Sequence, residues 1–168
     1  MKNSALGYDV SVLKTVAECR TVMKRAKEQG KDDVYAAVFR RQCALVGHEN
    51  DDPTDPLIRD FHETLAAYEQ LLSEKNGRNQ PAGRTRQKIA NKGVHQSLIE
   101  WTRGKIETNG FKLLVEAGLP EFTGEYLVVR YANRFPEDVV ALARERLQRH
   151  DIALPQPSPA ASVICGIK

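Results

Sequence analysis

Asp55-Pro56-Leu57-Ile58-Arg59-Asp60-Phe61-His62-Glu63-Thr64-Leu65-Ala66-Ala67-Tyr68-Glu69-Gln70-Leu71-Leu72-Ser73-Glu74-Lys75-Asn76-Gly77 is the stretch that decides the fold class. Asp55 is an N-cap residue type, and Pro56 behind it suits the first helical position, where the missing N–H costs nothing. Leu57 (or Ile58), Phe61, Leu65, Tyr68 and Leu72 then recur at helical spacing and form one apolar face. Asn76-Gly77 ends the run, because glycine readily takes the left-handed conformation of a helix terminus.

The same pattern continues towards the N-terminus. Val12, Val16, Cys19, Met23 and Ala26 share one helical face, Lys24, Arg25 and Lys27 sit in the last turn, and Gly30 ends the segment. A second helix is expected from Asp32 as N-cap, with Val34, Ala37, Val38 and Leu45 on its buried side and Gly47 as its stop. The stretch from His48 to Pro56 reads as a polar loop.

Towards the C-terminus, residues 76–83 form a turn-rich connector. Helix resumes at Arg84 and runs through Ala90, Gly93 interrupts it, and Val94, Leu98 and Trp101 mark a second short helix to about Thr102. Thr108-Asn109-Gly110 opens a helix carrying Phe111, Leu114 and Val115, which Gly118-Leu119-Pro120 closes. Thr123 caps a segment from Tyr126 to Tyr131. Four apolar residues there fit strand or buried helix, and helix is favoured because no partner strand is visible. Pro136-Glu137-Asp138 starts a last helix with Val139, Leu142, Ala143 and Leu147 inward. The reading is all-α: a compact multi-helix bundle of about seven helices with a flexible C-terminal tail. The expected units are an N-terminal helical unit over 8–75, a basic C-terminal helical unit over 82–150, and a disordered tail over 153–168, where LPQPSPAAS is rich in proline and small residues.

Composition bounds the function classes. The 168 residues are 41% hydrophobic and 28% charged, ordinary for a globular domain, and no apolar run approaches the roughly 20 residues needed to span a bilayer. No membrane partner is expected, and with no secretory signal at the start the expected location is cytoplasmic. Cys19, Cys43 and Cys165 form no CxxC pair, which argues against a disulfide scaffold or a cysteine zinc site.

Charge supplies the one functional signal. The net charge of +3 hides a block over residues 75–105, with eight basic residues and one acidic residue, Glu100. A block of one sign attracts an oppositely charged partner. Arg84, Lys88 and Lys92, at steps of four, share one helical face and suit a phosphate backbone. The residues expected to bind nucleic acid are Lys75, Arg78, Arg84, Arg86, Lys88, Asn91, Lys92, Gln96, Arg103 and Lys105. Two short helices meeting at Gly93 suggest a helix-turn-helix, with Gln87, Asn91, His95, Gln96 and Ser97 within reach of phosphates or base edges. The register fits poorly, since Lys88 and Lys92 stand where a first helix buries apolar side chains and only Ile89 and Ala90 remain. Trp101 follows Val94 and Leu98 at helical spacing and reads as core.

Catalytic readings find little support. His48, Glu49, Asp51, Asp52, Asp55, Asp60, His62 and Glu63 crowd one stretch, yet they match no calcium loop and no HExxH. No GxSxG, GxxxxGK[ST] or GxGxxG is present, so no catalytic residue, metal or cofactor is expected. The leading expectation is a DNA- or RNA-binding helical protein that contacts phosphates. The alternative is a helical adaptor or homo-oligomer binding an acidic protein partner. A nucleic-acid-processing enzyme ranks lowest.

Overall fold

A computed structural model describes residues 7–158. Among them the regular elements are all helical: α1 (Val16–Glu28), α2 (Asp32–Glu49), α3 (Pro56–Asn76), α4 (Gly83–Arg103), α5 (Asn109–Glu116), α6 (Gly124–Arg130) and α7 (Glu137–Arg149), with short 3-10 turns between them. None of these helices is long and apolar enough to cross a membrane.

Local chemistry sets most of the ends. Thr15 and Glu18 form a reciprocal capping box: the Thr15 hydroxyl accepts from Glu18 N–H at 3.2 Å, and Glu18 accepts from Thr15 N–H at 2.9 Å. Asp55 accepts from Leu57 N–H at 3.1 Å with Pro56 beside it, and Gly77 closes α3 at φ 65°. Thr108 caps α5 and Thr123 caps α6. The Thr123 cap resolves the open segment as helix, and Leu127, Val128 and Val129 are all buried within it.

α3 reaches both apolar clusters of the molecule. Leu57, Phe61 and Leu65 pack with Val94, Leu98 and Ile99 of α4, with α6, and with Val139, Ala143 and Leu147 of α7. Ala66 and Ala67 pack with Cys19 and Met23 of α1, Val38, Phe39 and Cys43 of α2, and Leu114 of α5. Beside the second cluster runs a directed hydrogen-bond chain. Tyr35 Oη and Gln70 Nε2 donate to Glu74 Oε1 at 2.6 and 2.9 Å, and Gln42 Nε2 donates to Gln70 Oε1 at 2.9 Å. Glu74 only accepts, so it fixes both amides and leaves Gln42 Oε1 buried without a partner.

Several expectations need correction. Asp32 is the first residue of α2 rather than its cap; the cap position is Lys31, and Asp32 and Asp33 place negative charge in the first turn. Gly47 does not stop α2. It lies inside the helix, buried, where a Cβ would come within 2.4 Å of Glu63 Cγ, so the glycine serves a close approach to α3. Val12 stands before α1 in a 3-10 turn and is 58% exposed; Leu13 is the buried residue there. Leu142 is 39% exposed, and Val140 and Arg146 turn inward instead. Before the tail, Ile152 packs against the core, and at 158 the buried Ser158 donates its N–H to Arg130 C=O at 2.9 Å. The remainder of that tail, 159–168 with Cys165, lies outside the described residues.

Candidate nucleic-acid interface

The basic block folds into a bent pair of helical arms. Gly93 interrupts α4 at φ 80° and ψ 165°, a backbone region that is essentially glycine-only. Lys88 Nζ lies 2.9 Å from Glu100 Oε2, and Lys92 Nζ lies 2.8 Å from Glu100 Oε1. Residues twelve apart in an unbroken helix are separated by about 18 Å, far beyond a lysine's reach. The arms therefore fold back on each other at Gly93. Thr85 of the first arm lines a common cleft with Trp101 and Thr102 of the second, and with Thr108 and Asn109 beyond it.

The second arm is core. Val94, Ser97, Leu98, Ile99 and Thr102 are buried. Trp101 stacks parallel to Phe61, with centroids 6.3 Å apart, and Lys88 Nζ lies 5.3 Å from the Trp101 ring centre. Ser97, expected near bases, is fully buried with its hydroxyl unpartnered. His95 is occupied elsewhere: its Nε2 lies 2.6 Å from Arg134 C=O, and its ring stacks on Phe135 at 4.7 Å. On this arm His95, Gln96 and Arg103 remain exposed, opposite the buried face.

Half of the eight cations are engaged. Arg86 donates twice to Glu69 at 2.6 and 2.7 Å, and Glu69 also accepts from Ala82 N–H at 2.8 Å, which pins the start of α4 to α3. Arg103 donates twice to Asp138 in the first turn of α7 at 2.9 and 3.1 Å. Lys92, Lys88 and Gln96 surround Glu100 and hold its carboxyl down to about 2. The stripe of Arg84, Lys88 and Lys92 is thus turned, for its two lysines, towards the protein's own carboxylate. Glu69 and Asp138 carried no sequence signal as partners, and Glu100 becomes reachable only through the bend at Gly93.

Lys75, Arg78, Arg84 and Lys105 differ. All four are exposed, and among the described residues none makes an ion pair or a side-chain hydrogen bond. Lys75 ends α3, Arg78 lies in the connector, and Arg84 opens α4. Lys105 follows the second arm, whose end lies beside the start of the first. Arg84 thus stands at the outer end of the first arm and Lys105 just past the outer end of the second, while the engaged lysines lie towards the elbow. Asn91 is exposed without a partner, and Gln96 donates to Glu100 at 3.3 Å. No three metal-ligating side chains converge among the described residues. The chain matches no protein-family model, no curated protein and no solved structure.

Proposed function

We propose that this protein binds nucleic acid through phosphate contacts at the open end of the α4 arm pair. The observation that carries this reading is the division of the cations: among the described residues Lys75, Arg78, Arg84 and Lys105 have no carboxylate partner, and Arg84 and Lys105 stand at the outer ends of the two arms. Uncompensated like charges raise the energy of the free protein, and a polyanion lowers it. Arg86, Lys88, Lys92 and Arg103 hold the arms in place, so they act on the surface indirectly.

Four phosphate contacts give a salt slope of roughly −3 to −4 in log K against log salt. Fluorescence anisotropy with labelled DNA and RNA at several salt concentrations measures it. Replacing Lys75 and Arg84 together with Ala lowers affinity and flattens the slope by about 1.5. Absence of binding at low salt, or a double variant that binds like wild type, overturns the reading.

A second reading has one observation in its favour. Ile106, next to Lys105, is 78% exposed. An apolar side chain beside a cation suits an acidic protein partner. In that case Ile106→Ser weakens partner capture, while nucleic acid leaves the anisotropy signal unchanged.

A further inference from the structure

The arm pair borders an open cleft with four aromatic side chains in its walls. Phe61 and Tyr68 of α3, Trp101 of α4 and Phe111 of α5 line it, together with Leu65 and Leu98. Its volume is about 170 Å³. A void of roughly 150 Å³ accepts a benzene-sized ring. The cleft is therefore sized for one flat ring.

Its polar groups say what kind of ring. Thr64, Thr85, Thr102 and Asn109, three hydroxyls and an amide, line the cleft. Among the described residues none of these side chains has a hydrogen-bond partner. A helical threonine ordinarily satisfies its hydroxyl on the preceding turn's carbonyl. Here three hydroxyls and an amide stay uncommitted in a cleft that also holds four aromatic rings. A hydrocarbon ligand leaves them unsatisfied, whereas a heteroaromatic ring with donors and acceptors on its edge uses them. The one carboxylate in the lining, Glu125, is already paired with Arg146 at 2.6 Å, so the lining does not select for a cation. Thr85 adjoins Arg84 in sequence, and Lys105 lies between Thr102 and Thr108, so both unpaired cations are chain neighbours of lining residues.

The geometry points to the insertion of one unpaired nucleobase into this cleft, with Arg84 and Lys105 on its flanking phosphates. This inference rests on the phosphate-binding reading and deepens it, because an unpaired base means a single-stranded or locally opened substrate. Unstacking costs least in a single strand, and stacking on aromatic side chains offsets it.

Trp101 is the protein's sole tryptophan and reports from the cleft wall. Free uridine and cytidine, whose bases are single rings, carry no phosphate, so they test the cleft separately from the basic end. Either nucleoside is expected to change Trp101 emission saturably. Thr85→Phe, which fills the cleft, abolishes the change. Thr64→Val keeps the side-chain shape, removes one hydroxyl and weakens binding about three- to tenfold. Thr64→Val also decides the matter if Thr85→Phe does not fold. N-acetylphenylalaninamide serves as a peptide-ring probe.

Nucleoside binding with this variant pattern supports the inference, and does so even if polynucleotides fail to bind, which overturns the phosphate reading alone. Polynucleotide binding that depends on Lys75 and Arg84, with no nucleoside response and unchanged strand affinity in Thr85→Phe, overturns the cleft and leaves the phosphate reading standing. A response to N-acetylphenylalaninamide equal to that of the nucleosides overturns the assignment to a base.

Discussion

Arg146 of α7 donates to Glu125 of α6 at 2.6 Å in the interior of the protein, and both side chains are almost wholly buried. The same guanidinium donates to the carbonyls of Thr102 and Gly104 at 3.2 and 2.9 Å. One side chain thus neutralises a buried carboxylate and satisfies carbonyls at the end of α4 that have no helical partner.

Arg146→Met removes the donor and strands the rest. An uncompensated buried charge costs about 3–5 kcal/mol, so urea unfolding is expected to show a loss of that size. Burial pushes the Glu125 carboxyl up, and Arg146 pulls it down. Without Arg146 only a backbone hydrogen bond opposes the upward push, and the folded state holds a proton to higher pH than the unfolded chain. Stability then falls as pH rises, so the variant's deficit is smaller at about pH 5 than at about pH 8. A deficit that does not change with pH contradicts this account.

Gly47 and Glu63 set the approach of α2 to α3. A methyl group at Gly47 meets Glu63 Cγ at 2.4 Å and Oε1 at 2.9 Å. Helix propensity alone favours Gly47→Ala by about 1 kcal/mol, but overpacking costs about 1–3 kcal/mol. Glu63 Cγ can clear the methyl only by changing χ1 on a packed helix face, so net destabilisation is expected. Truncating the neighbour tests the cause: Gly47→Ala with Glu63→Ala together is expected to be more stable than the sum of the single changes. Additive effects in that double-mutant cycle count against the steric explanation.

Gly93 is the hinge on which the candidate interface depends. Its φ of 80° and ψ of 165° suit no residue with a Cβ, and such strain costs about 1–3 kcal/mol. Gly93→Ala is expected to lose that much stability. If the backbone relaxes towards a continuous helix, Lys88 leaves the Trp101 ring and Glu100 together. Thermal unfolding measures the first effect and Trp101 emission the second. A variant as stable as wild type with unchanged emission shows that the arms need no glycine at the bend.

The fold was largely legible because each α-helix carries its own period and several carry caps. Asp55-Pro56, Thr108, Thr123 and Gly77 all act as their chemistry indicates. Gly47 misled because a glycine within helical sequence signals either a terminus or a close approach, and only the position of Glu63 decides which. The candidate site was half legible. Counting charges located the basic block but could not show that Glu69 and Asp138, 17 and 35 residues from their arginines, consume two of its cations. The bend at Gly93 was readable, yet its consequence, two lysines on Glu100, depends on the angle between the arms. The cleft carried no linear signal, since its lining comes from α3 to α6.

Glu100 connects stability with function. Lys92, Lys88 and Gln96 hold its carboxyl down to about 2, against an ordinary 4.5. A depressed carboxyl contributes stability that is present above about pH 4.5 and is lost as pH falls towards about 2. Glu100→Gln removes that acid-dependent part, so the variant's stability changes less than wild type's across this window. It also releases Lys88 and Lys92 and adds one unit of positive charge beside Arg84. If phosphates pass this surface, nucleic-acid affinity is expected to rise, and the salt slope to steepen by about 1–2. Anisotropy titrations of wild type and Glu100→Gln at matched salt measure both quantities. Unchanged affinity and slope place the bound strand away from these two lysines and confine it to Lys75, Arg78, Arg84 and Lys105.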